Sequence, residues 1–398
     1  MRMLAFIFVL FVHFAALKAQ VNPLDSILTN TPALKQFIVN KDSLRIQIVY
    51  TQINRNRNNK PSFTEYRFNV DNNNYFYPAS CVKMPIAFLA LEKLNELKIN
   101  GLDRNSTMIT DSSAPLQDVV YTLPEAIDSR PSIENYIQQV FLVSSNDAFN
   151  RLYEFLGQDY IQQKLSQKGY PDAIVRHRLS ISRSSEQNAI TNGIRFFDTS
   201  GNLLYQQAPQ FSKAQFPLVN TALGKGYMAN GQLVNQPFSF ATKNRIYLTD
   251  MHHMLQSVLF PKQFSKKQRF LFSADDDAFI KKWMSYYAGN DSSSSNKILY
   301  YGSGDETANR SIRIFNKTGG AYGFLLDVTY VMDTVNKIEY MLSAVISCNQ
   351  DGIYNDDKYD YNSIGYPFMK NLGRAVHGFE IERKRKNRPN FSSLQFNY

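Results

Sequence analysis

The chain is short of the residues that build covalent or metal-held scaffolds. It has two cysteines, one tryptophan and five histidines in 398 residues. Two thiols, Cys81 and Cys348, exclude a disulfide framework and allow at most one bridge. Each sits in an apolar segment, so buried free thiols are the expectation. The histidines form no H-x-H-x-D or H-E-x-x-H pattern, and the adjacent pair His252-His253 lies in a helical run where neighbours point apart. A zinc hydrolase is thereby disfavoured, and no metal or cofactor is expected. There is no G-x-S-x-G elbow, no P-loop and no internal repeat. Apart from residues 4–16, no long apolar run exists, and that one is too short to span a bilayer.

What the chain does have is globular. Hydrophobic residues make up 43% and charged residues 20%, and 29 Phe and 24 Tyr supply a sizeable core. Residues 1–19 read as a secretory signal, with Arg2 ahead of the apolar run and Ala19 before a cut at Gln20. The mature protein is expected to be exported, periplasmic or secreted, and monomeric. Losing Arg2 and Lys18 takes the formal charge from +10 to about +8. The basic run Arg383-Lys384-Arg385-Lys386 with Arg388 comes without any nucleic-acid recognition motif. It reads as a solvated, flexible tail over 383–398, and no nucleic-acid partner is expected.

Periodicity divides the mature chain, 20–398, into strand-rich ends and a helical middle. Residues 44–52 and 63–70 read as strands joined by a polar hairpin loop at 54–60. Helical spacing follows over 81–97, 132–143, 147–156, 247–259 and 279–287. Residues 177–242 show weak periodicity and many Asn, Gln and Ser residues, and 290–296 is a Ser-rich loop. Strand patterns return at 311–316, 324–332 and 338–347, with a closing helix at 367–376. This pattern implies an α+β fold: one sheet built from both termini (20–78 plus 298–398) with a helical subdomain (79–297) inserted.

Three short motifs carry chemistry. Ser80-Cys81-Val82-Lys83 is an S-x-x-K at the start of a helix, so the amine and the hydroxyl share one helix face. An amine in that position is able to take the serine proton if it is uncharged. The decoy Ser294 to Lys297 has the same spacing without the helix or the apolar flank. Ser144-Ser145-Asn146 is an S-x-N between two helical runs, distinguished from three other matches by its context, Phe141-Leu142-Val143 before and Asp147 to Leu152 after. Lys317-Thr318-Gly319, followed by Gly320, is the single K-T-G. At a strand edge it offers a cation, a hydroxyl and backbone N–H groups to a carboxylate or carbonyl.

In this order the motifs resemble those of the serine β-lactamase and penicillin-binding superfamily, and most of all class A β-lactamases. Ser144 to Leu152 is similar to that family's S-D-N-T-A-A-N-L-L segment, with Ser145 where the family has Asp. The resemblance implies an α/β/α sandwich with a five-stranded antiparallel sheet and an all-helical insert. It implies Ser80 as the nucleophile, Lys83 as its base, and Ser144 as the proton shuttle to the leaving nitrogen. Asn146, Lys317, Thr318, Gly319 and Gly320 would bind substrate, with the N–H groups of Ser80 and Gly320 as the oxyanion hole. The substrate would be a small β-lactam or a peptidoglycan-like peptide.

Two features depart from the family pattern. A deacylating Glu is expected in an E-x-x-x-N loop. Glu186 is the one carboxylate across 176–192, and Asn188 follows it at two positions, not four. Glu186 is nonetheless the candidate deacylation base. The 173 positions from Ser144 to Lys317 also exceed what class A needs, by about 60–70 residues. The expectation is therefore an exported class A-type β-lactamase acting through acyl-Ser80. A D,D-peptidase or other penicillin-binding acyl hydrolase at the same site is the alternative, and a non-catalytic binding protein on this fold is the second.

Overall fold

The computed structural model describes residues 22–115, 117–217, 221–287, 294–394 and 396. The expected signal at 1–19 and residues 290–293 of the Ser-rich loop lie outside the described residues.

Five antiparallel strands form the central sheet, in the order Ile312–Ala321, Phe324–Asp333, Ile338–Ser347, Gln47–Arg55 and Pro61–Phe68. The two ends of the chain meet where Gln47–Arg55 pairs with Ile338–Ser347. The two strands Phe324–Asp333 and Ile338–Ser347 are buried along their whole length. That explains why they read as apolar runs and not as alternation: both faces are covered. On one face Phe315, Leu326, Val328 and Tyr330 join the core of the helical subdomain. On the other, Ile314, Leu325 and Val331 pack with residues of Pro23–Asn30, Pro32–Val39 and Tyr366–Glu382. The layers are helix, sheet, helix.

The helix Lys83–Leu97 runs through the middle of the larger core. Its first ten residues are all buried, so it has no polar face to give an amphipathic stripe. Pro85 is its third residue, where the missing N–H has no intrahelical acceptor to lose. Lys98 closes it in the left-handed region, φ 52°.

Several expectations need correction. The inserted subdomain is not purely helical. Thr107–Thr110, Ile194–Phe197 and Leu203–Gln207 form a three-stranded sheet, and further short strands occupy 210–239. Strands this short leave almost no period to read. The helices Pro23–Asn30, Pro32–Val39 and Gln158–Gln167 add to those the periodicity predicts, and the first carries a helix-start signature, Asn22 accepting from the Leu24 N–H with Pro23 behind it. The basic segment after residue 382 is docked, not free. Arg383 and Arg385 donate to Glu380, which is fully buried and also accepts from the Tyr50 hydroxyl. A buried carboxylate needs such partners, and they draw the chain inward. Asn59 and Asn390 exchange hydrogen bonds, and Phe391 and Leu394 are buried. Cys81 and Cys348 are both buried free thiols. Among the described residues no helix is long and apolar enough to cross a membrane.

Candidate active site

The chain enters the large core through a 3-10 turn, Ala79–Val82, that runs straight into Lys83–Leu97. Ala79 adopts φ 45°, a conformation that costs a residue with a Cβ about 1–2 kcal/mol. The turn leaves Ser80 half-exposed at the end of a buried helix. Lys83 reaches back along the same face, with its Nζ 2.9 Å from the Ser80 Oγ. The Lys83 side chain is wholly buried. Burial first, and the Lys317 cation second, bring its amine down to about 6.

The contacts of that amine fix where its lone pair points. Nζ donates to the Ser144 carbonyl oxygen and, at 2.7 Å, to Asn146 Oδ1. Both partners are pure acceptors. A neutral amine has two N–H donors, and these two oxygens use both. The lone pair is left for the hydroxyls within reach, Ser80 Oγ at 2.9 Å and Ser144 Oγ at 3.1 Å. Ser144 has φ 55°, and Ser145 then caps the helix Asn146–Leu156 by accepting from the Ala148 N–H at 3.2 Å. The cap sets the first turn that aims Asn146 at Lys83. It also explains why Ser serves at this position.

Lys317 comes from the edge strand of the sheet. Its Nζ lies 2.9 Å from Ser144 Oγ and 2.8 Å from the Thr318 carbonyl, and burial lowers it to about 8. The Ser144 hydroxyl thus stands between two amines, and with Lys317 donating to its oxygen its own hydrogen is free to be given away. The edge strand passes very close to the Ser80 turn. A Cβ on Gly319 would sit 2.8 Å from the Ser80 nitrogen and 2.9 Å from that of Cys81, so only glycine permits the approach. The Cys81 thiol donates to the Lys317 carbonyl at 2.9 Å and ties helix to strand. Gly320 is exposed and lines the cleft beside Ser80. Three stretches distant in sequence therefore converge: Ser80 and Lys83, Ser144 and Asn146, and Lys317 to Gly320.

A fourth wall comes from residues 176–181, at the start of the stretch 176–192 in which the deacylating Glu is expected. The backbone N–H groups of Arg176 and His177 both donate to Asn244 Oδ1, that of Arg178 to Asn188 Oδ1 and that of Leu179 to Asn150 Oδ1, at 2.8–3.2 Å. Arg178 also forms a buried ion pair with Glu154, which Arg151 shares. Held this way, the loop places Leu179 and Ser180 on the cleft wall. Ser180, at φ 55°, accepts from Asn146 Nδ2 at 2.7 Å and fixes the amide so that its oxygen faces Lys83.

Glu186 is not brought to the site. It is exposed in the first turn of the short helix Ser185–Ala189, and a hydrogen bond from Ser184 keeps its carboxyl low. Ser184 and Gln187 make a capping box there, which is why the chain turns at that point. Asn188, its neighbour, is spent on Arg178. The decoy Ser294 to Lys297 is structural: Lys297 is buried against the Met284 carbonyl and Asn316 Oδ1. Asn316 in turn donates to Asp327, which burial raises to about 6. His252 is a core residue between Thr51 and Ser343. Among the described residues no three His, Cys, Asp or Glu side chains converge as metal ligands do.

The cleft over Ser80 holds about 600 Å³, and a second lobe of about 300 Å³ runs past Ser80, Ser144 and Thr318. The acidic residue on its wall is Asp357, which is exposed.

The model of the Beta-lactamase enzyme family matches residues 31–377. No curated protein sequence matches the chain. Among solved structures, a β-lactamase from Sphaerobacter thermophilus DSM 20745 aligns at 11% identity, covering 88% of this chain and 95% of that one, TM-score 0.49. A class A β-lactamase from Clostridium kluyveri DSM 555 aligns at 16% identity, covering 87% and 97%, TM-score 0.47. PBP-A aligns at 14% identity, covering 90% and 97%, TM-score 0.49.

Proposed function

The chain belongs to the β-lactamase enzyme family, and from that premise we propose that it is an exported hydrolase in which Ser80 attacks an acyl carbonyl and carries the acyl group as an ester. The observation that carries this reading is the Lys83 amine, 2.9 Å from Ser80 Oγ with its pKa near 6. At pH 7 about nine-tenths of it is neutral. It takes the Ser80 proton as the C–O bond forms. The Ser80 and Gly320 N–H groups hold the oxyanion, a contribution of about 3–4 kcal/mol in such sites. The Ser144 hydroxyl gives its proton to the leaving nitrogen and is recharged from Lys83. Lys317 and Thr318 bind the substrate carboxylate.

One observation bears on the choice between rapid β-lactam turnover and a lasting acyl-enzyme. Hydrolysis of the ester needs a base beside the attacking water. The wall next to Lys83 and Asn146 offers Leu179 and Ser180, and Glu186 is exposed elsewhere. This favours a penicillin-binding acyl hydrolase, with a stable β-lactam adduct, over a class A lactamase. Intact-mass measurement after mixing with benzylpenicillin, beside hydrolysis of a chromogenic cephalosporin, tests the choice. The expected result is one penicilloyl group per chain, absent in Ser80→Ala, with slow cephalosporin turnover. Fast turnover without an adduct would restore the lactamase reading. Neither adduct nor turnover would leave a binding protein.

A further inference from the structure

The hairpin turn that follows K-T-G ends the edge strand Ile312–Ala321 beside Ser80. Ala321 pairs with Phe324 across a two-residue turn, with Tyr322 at φ 53° and Gly323 at φ 74°. Two left-handed central residues make a type I′ hairpin, whose twist suits the flanking strands. In such a hairpin the pair beside the turn exchanges both ladder hydrogen bonds, and the next pair exchanges none. That next pair is Gly320 with Leu325. Its strand is the edge of the sheet, so the Gly320 N–H faces off the sheet into the cleft. The turn therefore decides where that N–H stands. Tyr322 is an unfavourable residue for it, since a Cβ makes the left-handed region costly.

Two segments hold this turn. The additional residues between Asn146 and Lys317 supply Phe238 and Phe240, whose rings lie 5.7 and 5.4 Å from that of Tyr322. The segment after the last strand of the main sheet supplies Tyr361, whose hydroxyl oxygen accepts from the Gly323 N–H at 3.0 Å. The Gly323 carbonyl accepts from the Cys348 N–H at 2.6 Å, so both of its backbone groups are engaged. Tyr361 opens a wide π-helical turn, Tyr361–Gly365, that leads into Tyr366–Glu382. Turns of this kind are rare and recur at functional sites. Gly365 lets the turn lie against the sheet: a Cβ there would fall 2.7 Å from Leu325 Cδ2 and 2.8 Å from Cys348 Sγ. The Asp360 N–H donates to the Cys348 carbonyl at 2.7 Å and anchors the start of the segment. The Tyr361 ring consequently stands beside the edge strand. A Cβ on Gly320 would be 3.9 Å from its Cζ, an ordinary contact distance, and the ring lines both lobes of the cleft. Burial pushes the Tyr361 hydroxyl well above its ordinary value, so it stays a neutral phenol.

We propose that Tyr361 is a positioning residue for acyl transfer to Ser80: its ring and its bond to Gly323 hold the Gly320 N–H where the oxyanion forms. The proposal deepens the acyl-Ser80 reading and rests on it. The probe is benzylpenicillin carrying carbon-13 at its β-lactam carbonyl, which becomes the ester carbonyl of the adduct. It is used on the unaltered protein and on Tyr361→Phe, which keeps the ring and removes the hydroxyl. The control is Tyr359→Phe, which loses another hydrogen bond of the same loop, the one from the Asn355 N–H at 2.9 Å. Removing an oxyanion donor outright costs about 100-fold or more, and displacing one in Tyr361→Phe should slow acylation at saturation about 10-fold. The half-saturating concentration should stay within about twofold, because the interaction belongs to the transition state. The loss should be the same at every pH, since no titrating group of the working range is removed. The labelled ester carbonyl should absorb at higher frequency by infrared difference spectroscopy, because a displaced donor polarises it less. Tyr359→Phe should change neither rate nor frequency. An adduct that forms and absorbs alike in Tyr361→Phe and the unaltered protein would overturn the role of Tyr361 and leave the acyl-serine reading intact. Equal losses in both phenylalanine variants would also overturn it, as marks of a loosened loop. No adduct in the unaltered protein would overturn both.

Discussion

Replacing Lys317 with methionine keeps the length of the side chain and removes its charge, and it should shift the pH dependence of acylation in a calculable way. Both Lys83 and Lys317 lie within hydrogen-bond distance of Ser144 Oγ, at 3.1 and 2.9 Å, so their nitrogens are no more than about 6 Å apart. At ~6 Å and an effective dielectric of ~20 the repulsion is about 3 kcal/mol, or roughly 2 pH units. Burial is the larger cause of the low Lys83 value and remains in the variant. In the unaltered protein acylation should fail as pH drops through about 6, where Lys83 becomes protonated. It should also fail as pH rises through about 8, where Lys317 loses its charge. In Lys317→Met acylation should be slower at every pH, the alkaline limb should vanish and the acid limb should move up to roughly 7–8. The assay is the first-order rate of Ser80 acylation at saturating benzylpenicillin, followed by quench and mass measurement from pH 5 to 9.5 in ~0.5-unit steps. An acid limb that stays near 6 in the variant would refute the claim that the Lys317 charge helps keep Lys83 neutral.

Three further outcomes are expected. Glu186→Gln should leave both acylation and release of the acyl group within about twofold, read by adduct formation and decay; a large slowing would return Glu186 to the mechanism. Gly319→Ala puts a Cβ 2.8 Å from the Ser80 nitrogen and must push strand and turn apart, so acylation should fall about 100-fold while the far-ultraviolet circular dichroism is unchanged. Glu154→Gln removes the carboxylate shared by Arg151 and Arg178, both buried, and should cost about 3–5 kcal/mol in urea unfolding.

The three motifs of the candidate site were readable because their chemistry restricts both residue type and spacing. An amine three residues after a serine on a helix shares its face, whatever else the chain does. The strands of the main sheet were readable as apolar runs since both faces are covered. The rest depends on contacts that have no local signature. The loop at 176–181 is shaped by the side chains of Asn150, Asn188 and Asn244, which sequence alone does not distinguish from other asparagines. Glu186 is the one carboxylate in its stretch, but that stretch turns outward at the Ser184 cap. The pairing of Gly226 with Ile353 and the docking of Arg385 on Glu380 join segments whose partners no period points to. The weak periodicity of 177–242 gives no hint of the short strands there, and the role of the segment emerges only from what it packs against.

The central claim is that Lys83 is an uncharged amine at neutral pH. Lysine labelled with carbon-13 at Cε permits direct titration by NMR, with Lys83→Met identifying its signal among the other depressed lysines, Lys93, Lys168, Lys297 and Lys317. The account predicts a resonance titrating near 6 that disappears in the variant. A Lys83 signal titrating near the ordinary lysine value of about 10.4 would contradict it, because a protonated amine cannot take the proton of Ser80.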